Sequence, residues 1–225
     1  MHSSVPGLVC PTRRAPGTSA ESAQTSDILP LPVAGGPVGD YAMVFSYENN
    51  DTGSGTPWWH TGNSNVTQNS CQRGPYRQAR LSNGEGNSWQ PQDSLSRLVD
   101  GTSNQILMGE KHIPLTRLGR CEQGTNLTWG DCSILTIGEC RAPTSGRLVR
   151  HRFAFTGYGY DRRPGIVTPN TQANVQQNDS ASGSYHTGVC NFMVGDGSVQ
   201  ALSVTMLPDM LMALGTVDDG VSVSF

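Results

Sequence analysis

Residues 184–204 read SYHTGVCNFMVGDGSVQALSV, and their pattern decides the fold. Two runs rich in β-formers, residues 189–194 and 198–204, flank Gly195-Asp196-Gly197. Asp-Gly suits a two-residue type I′ turn, in which both central positions need positive φ. With Asp196 and Gly197 as that turn, Val194 faces Val199, Phe192 faces Ala201 and Cys190 faces Ser203. These six side chains share one mostly apolar face. Asn191, Gln200 and Ser198 lie on the other, beside Met193 and Leu202. A one-residue slip destroys this sorting, so the pattern predicts an antiparallel β-hairpin in that register.

The composition around the hairpin agrees with a turn-rich, β-leaning chain. Only 15% of the 225 residues are charged, whereas Gly contributes 27 and Pro 14. This size fits a single domain, residues 1–225, and the composition disfavours a helical bundle. The net charge of −3 and the scattered arginines give no basis for nucleic-acid binding. Six cysteines, Cys10, Cys71, Cys121, Cys132, Cys140 and Cys190, make an even set that points to disulfides in an oxidising compartment. No Cys-x2-Cys pair suggests a structural zinc site. No transmembrane run or secretory signal is present in the sequence as written, because residues 1–9 are too short and polar for an apolar leader core.

Working outward, Tyr41–Tyr47 (YAMVFSY) and residues 105–113 read as strands, and residues 147–156 as another. Residues 5–10 suggest a short strand, and residues 221–225 a final edge strand. Residues 92–99 fit a short helix capped by Asp93 or Ser94, with Leu95, Leu98 and Val99 on one face. Residues 208–214 fit a second, with Pro208 at its first position and Gly215 at its stop. Long loops are expected at residues 11–39, 48–89 and 157–184, and a cysteine-bearing excursion at residues 115–143. The fold class is therefore α+β: an antiparallel sheet with short helices and long loops.

The hairpin stretch also resembles a known family. His186, nine intervening residues and then Asp196-Gly197 is similar to the C-terminal His-x9-Asp-Gly signature of a large prepilin-like family of unknown function, abundant in planctomycete-type bacteria. Three further stretches resemble the same family in the same order. They are LVCPTRRAP at residues 8–16, SRLVDGTSNQILMGEKH at residues 96–112 and ALGTVDDG at residues 213–220. The second contains Asp100, Gly101, Ser103, Asn104 and Glu110, where members show a DGTSNT…GE run. The resemblance implies a pilin-like or pseudopilin-like globular head. It would be non-enzymatic, extracytoplasmic or at the cell surface, and part of a type IV pilus or type II secretion-like system. Its partners would be other pilin-like subunits or secretion components, engaged through an N-terminal helix. Members begin with a prepilin signal and a long apolar helix, whereas here Met1 lies nine residues before Cys10. The assembling helix would have to come from sequence outside these residues.

The residues themselves leave a second reading open, a stand-alone extracellular binding module for a glycan or a cation. Asp100, Thr102, Ser103 and Asn104 carry oxygens suited to a hard cation such as Ca²⁺, although the spacing does not match an EF-hand. The simpler reading is a turn in which Asp100 and Asn104 bond to backbone groups. Trp58 and Trp59 could stack on a ligand, though aromatic loop residues more often pack on their own domain. His186 could pair with Glu110, with Asp196 or with a metal. Asp196 reads as a turn former. Glu110 ends an apolar run, and a buried carboxylate there needs a partner, with Lys111, His112 and His186 within reach in sequence. No Walker loop, nucleophile elbow or His-Glu-x-x-His motif occurs, so no catalytic residue or required cofactor is expected.

Overall fold

The computed structural model describes residues 4–15, 17, 18, 37–47, 74–76, 80, 81, 89, 90, 93–113, 115, 118, 119, 131, 154–158, 165–168, 182–217, 220, 221, 223 and 225. Its strands are β1 (Tyr41–Tyr47), β2 (Arg80–Leu81), β3 (Trp89–Gln90), β4 (Ile106–Glu110), β5 (Ala154–Tyr158), β6 (Ile166–Val167), β7 (Ser182–Gly183), β8 (Val189–Val194) and β9 (Val199–Ser203). One α-helix, α1, spans Pro208–Gly215. The main sheet has the order β5-β1-β4-β8-β9. Pairing is antiparallel from β1 through β4 and β8 to β9, while β5 lies parallel to β1. The α+β class holds, with parallel pairing of β5 on β1 in the main sheet and of β6 with β7 in a separate two-stranded one.

Alternation builds the core. Ala42 and Val44 of β1 are buried, whereas Met43 between them is exposed. Cys190, Phe192 and Val194 of β8 are buried on one side of the sheet. Leu211 and Leu214 of α1 join Val44, Ile106, Phe192 and Leu202 in one apolar cluster. Pro208 starts α1, where its missing N–H is harmless. Thr216 then caps the helix, donating through its N–H to Ala213 O and through its hydroxyl to Met212 O.

The β8–β9 hairpin forms, but its turn and register differ from the sequence expectation. Cys190 pairs with Leu202, Phe192 with Gln200 and Met193 with Val199. The turn has three residues: Gly197 donates to Val194 O, and Gly197 sits at φ +86°. This is a type I turn followed by a left-handed glycine, the usual three-residue hairpin connection. The extra turn residue puts Leu202 on the buried face and leaves Val199 67% exposed. Gly195 enters the turn for a packing reason. Its N–H donates to Gln105 O, and a Cβ there would lie 2.7 Å from Thr102 O.

Other expectations also shift. Of the helix expected at residues 92–99, the described residues 93–99 hold a 3-10 turn, Leu95–Arg97, with Leu98 buried but Leu95 and Val99 exposed. Residues 5–10 hold the 3-10 turn Pro6–Leu8 rather than a strand. The strand expected at residues 147–156 appears as Ala154–Tyr158, and residues 147–153 lie outside the described set. Val221, Val223 and Phe225 are not in a strand. The loop expected from residue 11 begins with core structure, because Arg13 and Arg14 are buried. Most of the loops expected at 48–89 and 157–184, and of the excursion at 115–143, lie outside the described residues.

Candidate functional site

Strands β4 and β8 run antiparallel, so they carry the motif residues to two opposite ends. At one end β8 runs into the hairpin turn, and β4 begins beside the 3-10 turn Thr102–Asn104. Asp196 accepts from the Ser198 N–H at 2.8 Å, an Asx-type turn that fixes the hairpin tip. Hydrogen bonds from Ser198, then from Ser103, hold the Asp196 carboxyl below the usual carboxylate range. The Asn104 amide donates to Asp100 O, and Asn104 N–H donates to Gly101 O, at a Gly101 with φ +98°. Asp100, Gly101, Thr102, Ser103, Asn104, Asp196 and Gly197 thus form one turn-on-turn joint. The Asn104 amide, facing Asp100 as a donor, serves the backbone in the way the simpler reading expects.

The other end is polar and buried. Glu110 closes β4 with no exposed surface. One of its oxygens, Oε2, accepts from Asn191 N–H at 2.9 Å. The other, Oε1, lies 3.1 Å from His186 Nε2, in ion-pair range but with no aligned hydrogen-bond donor among the described residues. Cys10 Sγ lies 3.4 Å from the same Nε2. Thr12 Oγ1 holds the opposite ring nitrogen, Nδ1, at 3.1 Å. His186 is further set by its own N–H, which donates to Ser184 Oγ at 3.0 Å. The partner sought for Glu110 is therefore His186, joined by Cys10 from the opening segment.

A cluster of buried charges supports this end from beneath. Asp40, fully buried, accepts from the Cys10 N–H at 2.7 Å, from Arg13 at 3.0 Å and from Arg14 at 2.6 Å. Arg13 also donates to Lys111 O at 2.8 Å and Gly183 O at 3.0 Å. Its guanidinium sits 4.8 Å above the Tyr185 ring, in cation–π range. Arg14 pairs additionally with Asp131. Burial pulls the Arg14 guanidinium down, but Asp131 and Asp40 outweigh it and leave the group raised. Asp40, Arg13, Arg14 and Asp131 were not anticipated as site residues. The available signal was the adjacent arginine pair at positions 13 and 14 of a charge-poor chain.

Chemically, this end resembles a ligand set more than an activated nucleophile. Burial, then the nearby Glu110, push the Cys10 thiol up, away from the thiolate that a nucleophile and a metal ligand both need, so the sulfur is not activated and metal binding there would release its proton. The carboxylate also faces the same imidazole nitrogen as the sulfur. In a triad it would instead orient the ring through the other nitrogen. Cys10 and Cys190 are free thiols, so the disulfide expectation does not hold for these two. Burial also pushes the Cys190 thiol well up. Cys71, Cys121, Cys132, Cys140, Trp58 and Trp59 lie outside the described residues. Among the described residues, no helix is long and apolar enough to cross a membrane.

Fold and site together define an α+β domain whose opening segment is locked into its sheet by buried charge. The chain belongs to the family described as "Protein of unknown function (DUF1559)", whose profile matches residues 1–207. No curated protein and no solved structure matches the chain.

Proposed function

We propose that this chain is the head domain of a non-enzymatic, extracytoplasmic, pilin-like or pseudopilin-like protein. It would serve in a type IV pilus, a type II secretion-like filament or another cell-surface assembly. The supporting observation is the way the opening segment is held. Arg13 reaches Asp40, Lys111 O and Gly183 O, while the Cys10 N–H reaches the Asp40 carboxylate. A filament subunit hangs from its N-terminal side, so a load applied there must pass into the sheet. Buried ion pairs and charge-assisted hydrogen bonds at that point resist such a load better than a loosely packed lead-in. The sheet, short helix and polar turns suit a head with other subunits as partners.

The experiment is fractionation of the source cells, using antibody raised against the 225-residue chain. The protein is expected in the envelope or sheared-filament fraction. It should be digested by protease added to intact cells and should cross-link into a ladder of multimers. Recovery as a protease-protected cytoplasmic monomer would refute the proposal.

A further inference from the structure

We propose that Cys10, Glu110 and His186 form a zinc site, with Cys10 Sγ, Glu110 Oε1 and His186 Nε2 as the three protein ligands and water as the fourth. The three ligand atoms all lie within 4.8 Å of one another. Two of the separations are 3.4 Å for sulfur to nitrogen and 3.1 Å for nitrogen to oxygen. Tetrahedral zinc with bonds of about 2.0–2.3 Å spaces neighbouring ligand atoms by roughly 3.3–3.6 Å. These two pairs already stand within a few tenths of an ångström of that spacing, and Cys10 Sγ and Glu110 Oε1, no more than 4.8 Å apart, close on an ion by a shift of about 1 Å or less.

The orientation of the groups supports the same conclusion. Glu110 Oε1 is buried and has no aligned hydrogen-bond donor among the described residues, despite its closeness to His186. The oxygen and the nitrogen are thus in contact without an aligned hydrogen bond between them. The groups behind them are arranged as zinc ligands require. Thr12 holds Nδ1, leaving Nε2 for the metal, and its hydroxyl can accept the Nδ1 proton. Asn191 N–H holds the other oxygen of Glu110, and Asp40 accepts from the Cys10 backbone. One sulfur, one imidazole and one carboxylate suit zinc, whereas Ca²⁺ and Mg²⁺ take oxygen ligands almost exclusively. His186 has 27% of its side chain exposed, while Glu110 has none, so the fourth position opens on the histidine side. Zinc bound here ties the opening segment, the end of β4 and the lead-in to β8 together.

The test uses the full chain, reduced and stripped with a chelator, then titrated with Zn²⁺ alone and with Co²⁺ as a spectroscopic probe. One equivalent of Zn²⁺ is expected to bind, and Co²⁺ should give a thiolate-to-metal charge-transfer band with tetrahedral visible bands. Cys10→Ser should abolish the charge-transfer band, and His186→Gln should abolish tight binding. Thr12→Ala should weaken binding by about 10–100-fold, the usual effect of losing a group that orients a ligand. If the wild type shows no such band, or if Cys10→Ser and His186→Gln both leave it intact, the assignment is wrong. Should Cys10→Ser fail to fold, X-ray absorption on the zinc-loaded wild type decides the matter. One sulfur with nitrogen and oxygen neighbours supports the site, and any other sulfur count overturns it.

Discussion

Replacing Gly109 with alanine tests the packing that sets the spacing between β4 and β8. Gly109 pairs with Phe192 across these strands, and the Phe192 ring lies over it. A Cβ at position 109 would lie 2.5 Å from both Cδ1 and Cε1 of that ring. Carbon atoms prefer about 3.5–4.0 Å, so the ring must retreat by roughly 1 Å. Phe192 is 1% exposed and packed among Val44, Ile106 and Leu211, which leaves it nowhere to go. Overpacking of this kind costs about 1–3 kcal/mol, which for a domain of this size lowers the melting temperature by about 2–12 °C. Phe192→Leu removes the ring and destabilises on its own account. In the double variant the clash is gone, so the combined cost should fall short of the sum by about 1 kcal/mol or more. Urea denaturation of the four proteins, followed by circular dichroism with unchanged m-values, measures this coupling. A Gly109→Ala cost below about 0.5 kcal/mol, or the same cost with and without the ring, would show that Phe192 does not close over Gly109.

Two further outcomes follow from the charges. Asp40→Ala takes from buried Arg13 its carboxylate partner, from Arg14 one of two, and from the Cys10 N–H its acceptor, and should cost about 3–5 kcal/mol in the same denaturation assay. Arg97→Ala, which removes an i,i+4 pair with Asp93 near the surface, should stay within about 1 kcal/mol. Equal costs for the two would contradict the clamp. Asp196 has a folded pKa below its ordinary value, so its charge contributes stability above the ordinary carboxylate range and loses it as pH falls through the folded pKa. The gap in melting temperature between wild type and Asp196→Asn should therefore narrow in acid, and the carboxyl resonance should titrate below the ordinary Asp value of about 3.9. A pH-independent gap would argue against that contribution.

The parts of the fold that follow a local period were legible in the sequence. Tyr41–Tyr47 alternates and forms a strand with the expected bounds. Pro208 marked the start of the helix. The hairpin was legible but its register was not. An Asp-Gly dipeptide suggests a two-residue turn, whereas Gly195, bonded to Gln105 O and packed closely on Thr102, joins the turn as a third residue. The parallel pairing of β5 with β1 joins segments more than a hundred residues apart, and no periodicity encodes such a pairing. Leu95 and Val99 satisfied a helical spacing yet stayed in solvent, since three 3-10 residues bury little. At the site, the need of Glu110 for a partner was readable from burial logic, and His186 supplied it. Cys10 was read as the end of a short strand and a disulfide candidate, and the arginine pair was hidden because its polar, proline-flanked stretch looks like loop. Only the fold reveals that Asp40 lies beneath them.

The clamp around Arg13 also constrains when the domain can finish folding. Its partners at Lys111 O and Gly183 O lie 98 and 170 residues further along the chain, and Cys10 meets His186 across 176. The Cys10–Arg14 segment is thus secured only by parts of the chain made much later. During synthesis Arg13 lacks its carbonyl partners until Lys111 and then Gly183 of β7 have been made. Such long-range closure slows folding and keeps the emerging polypeptide open.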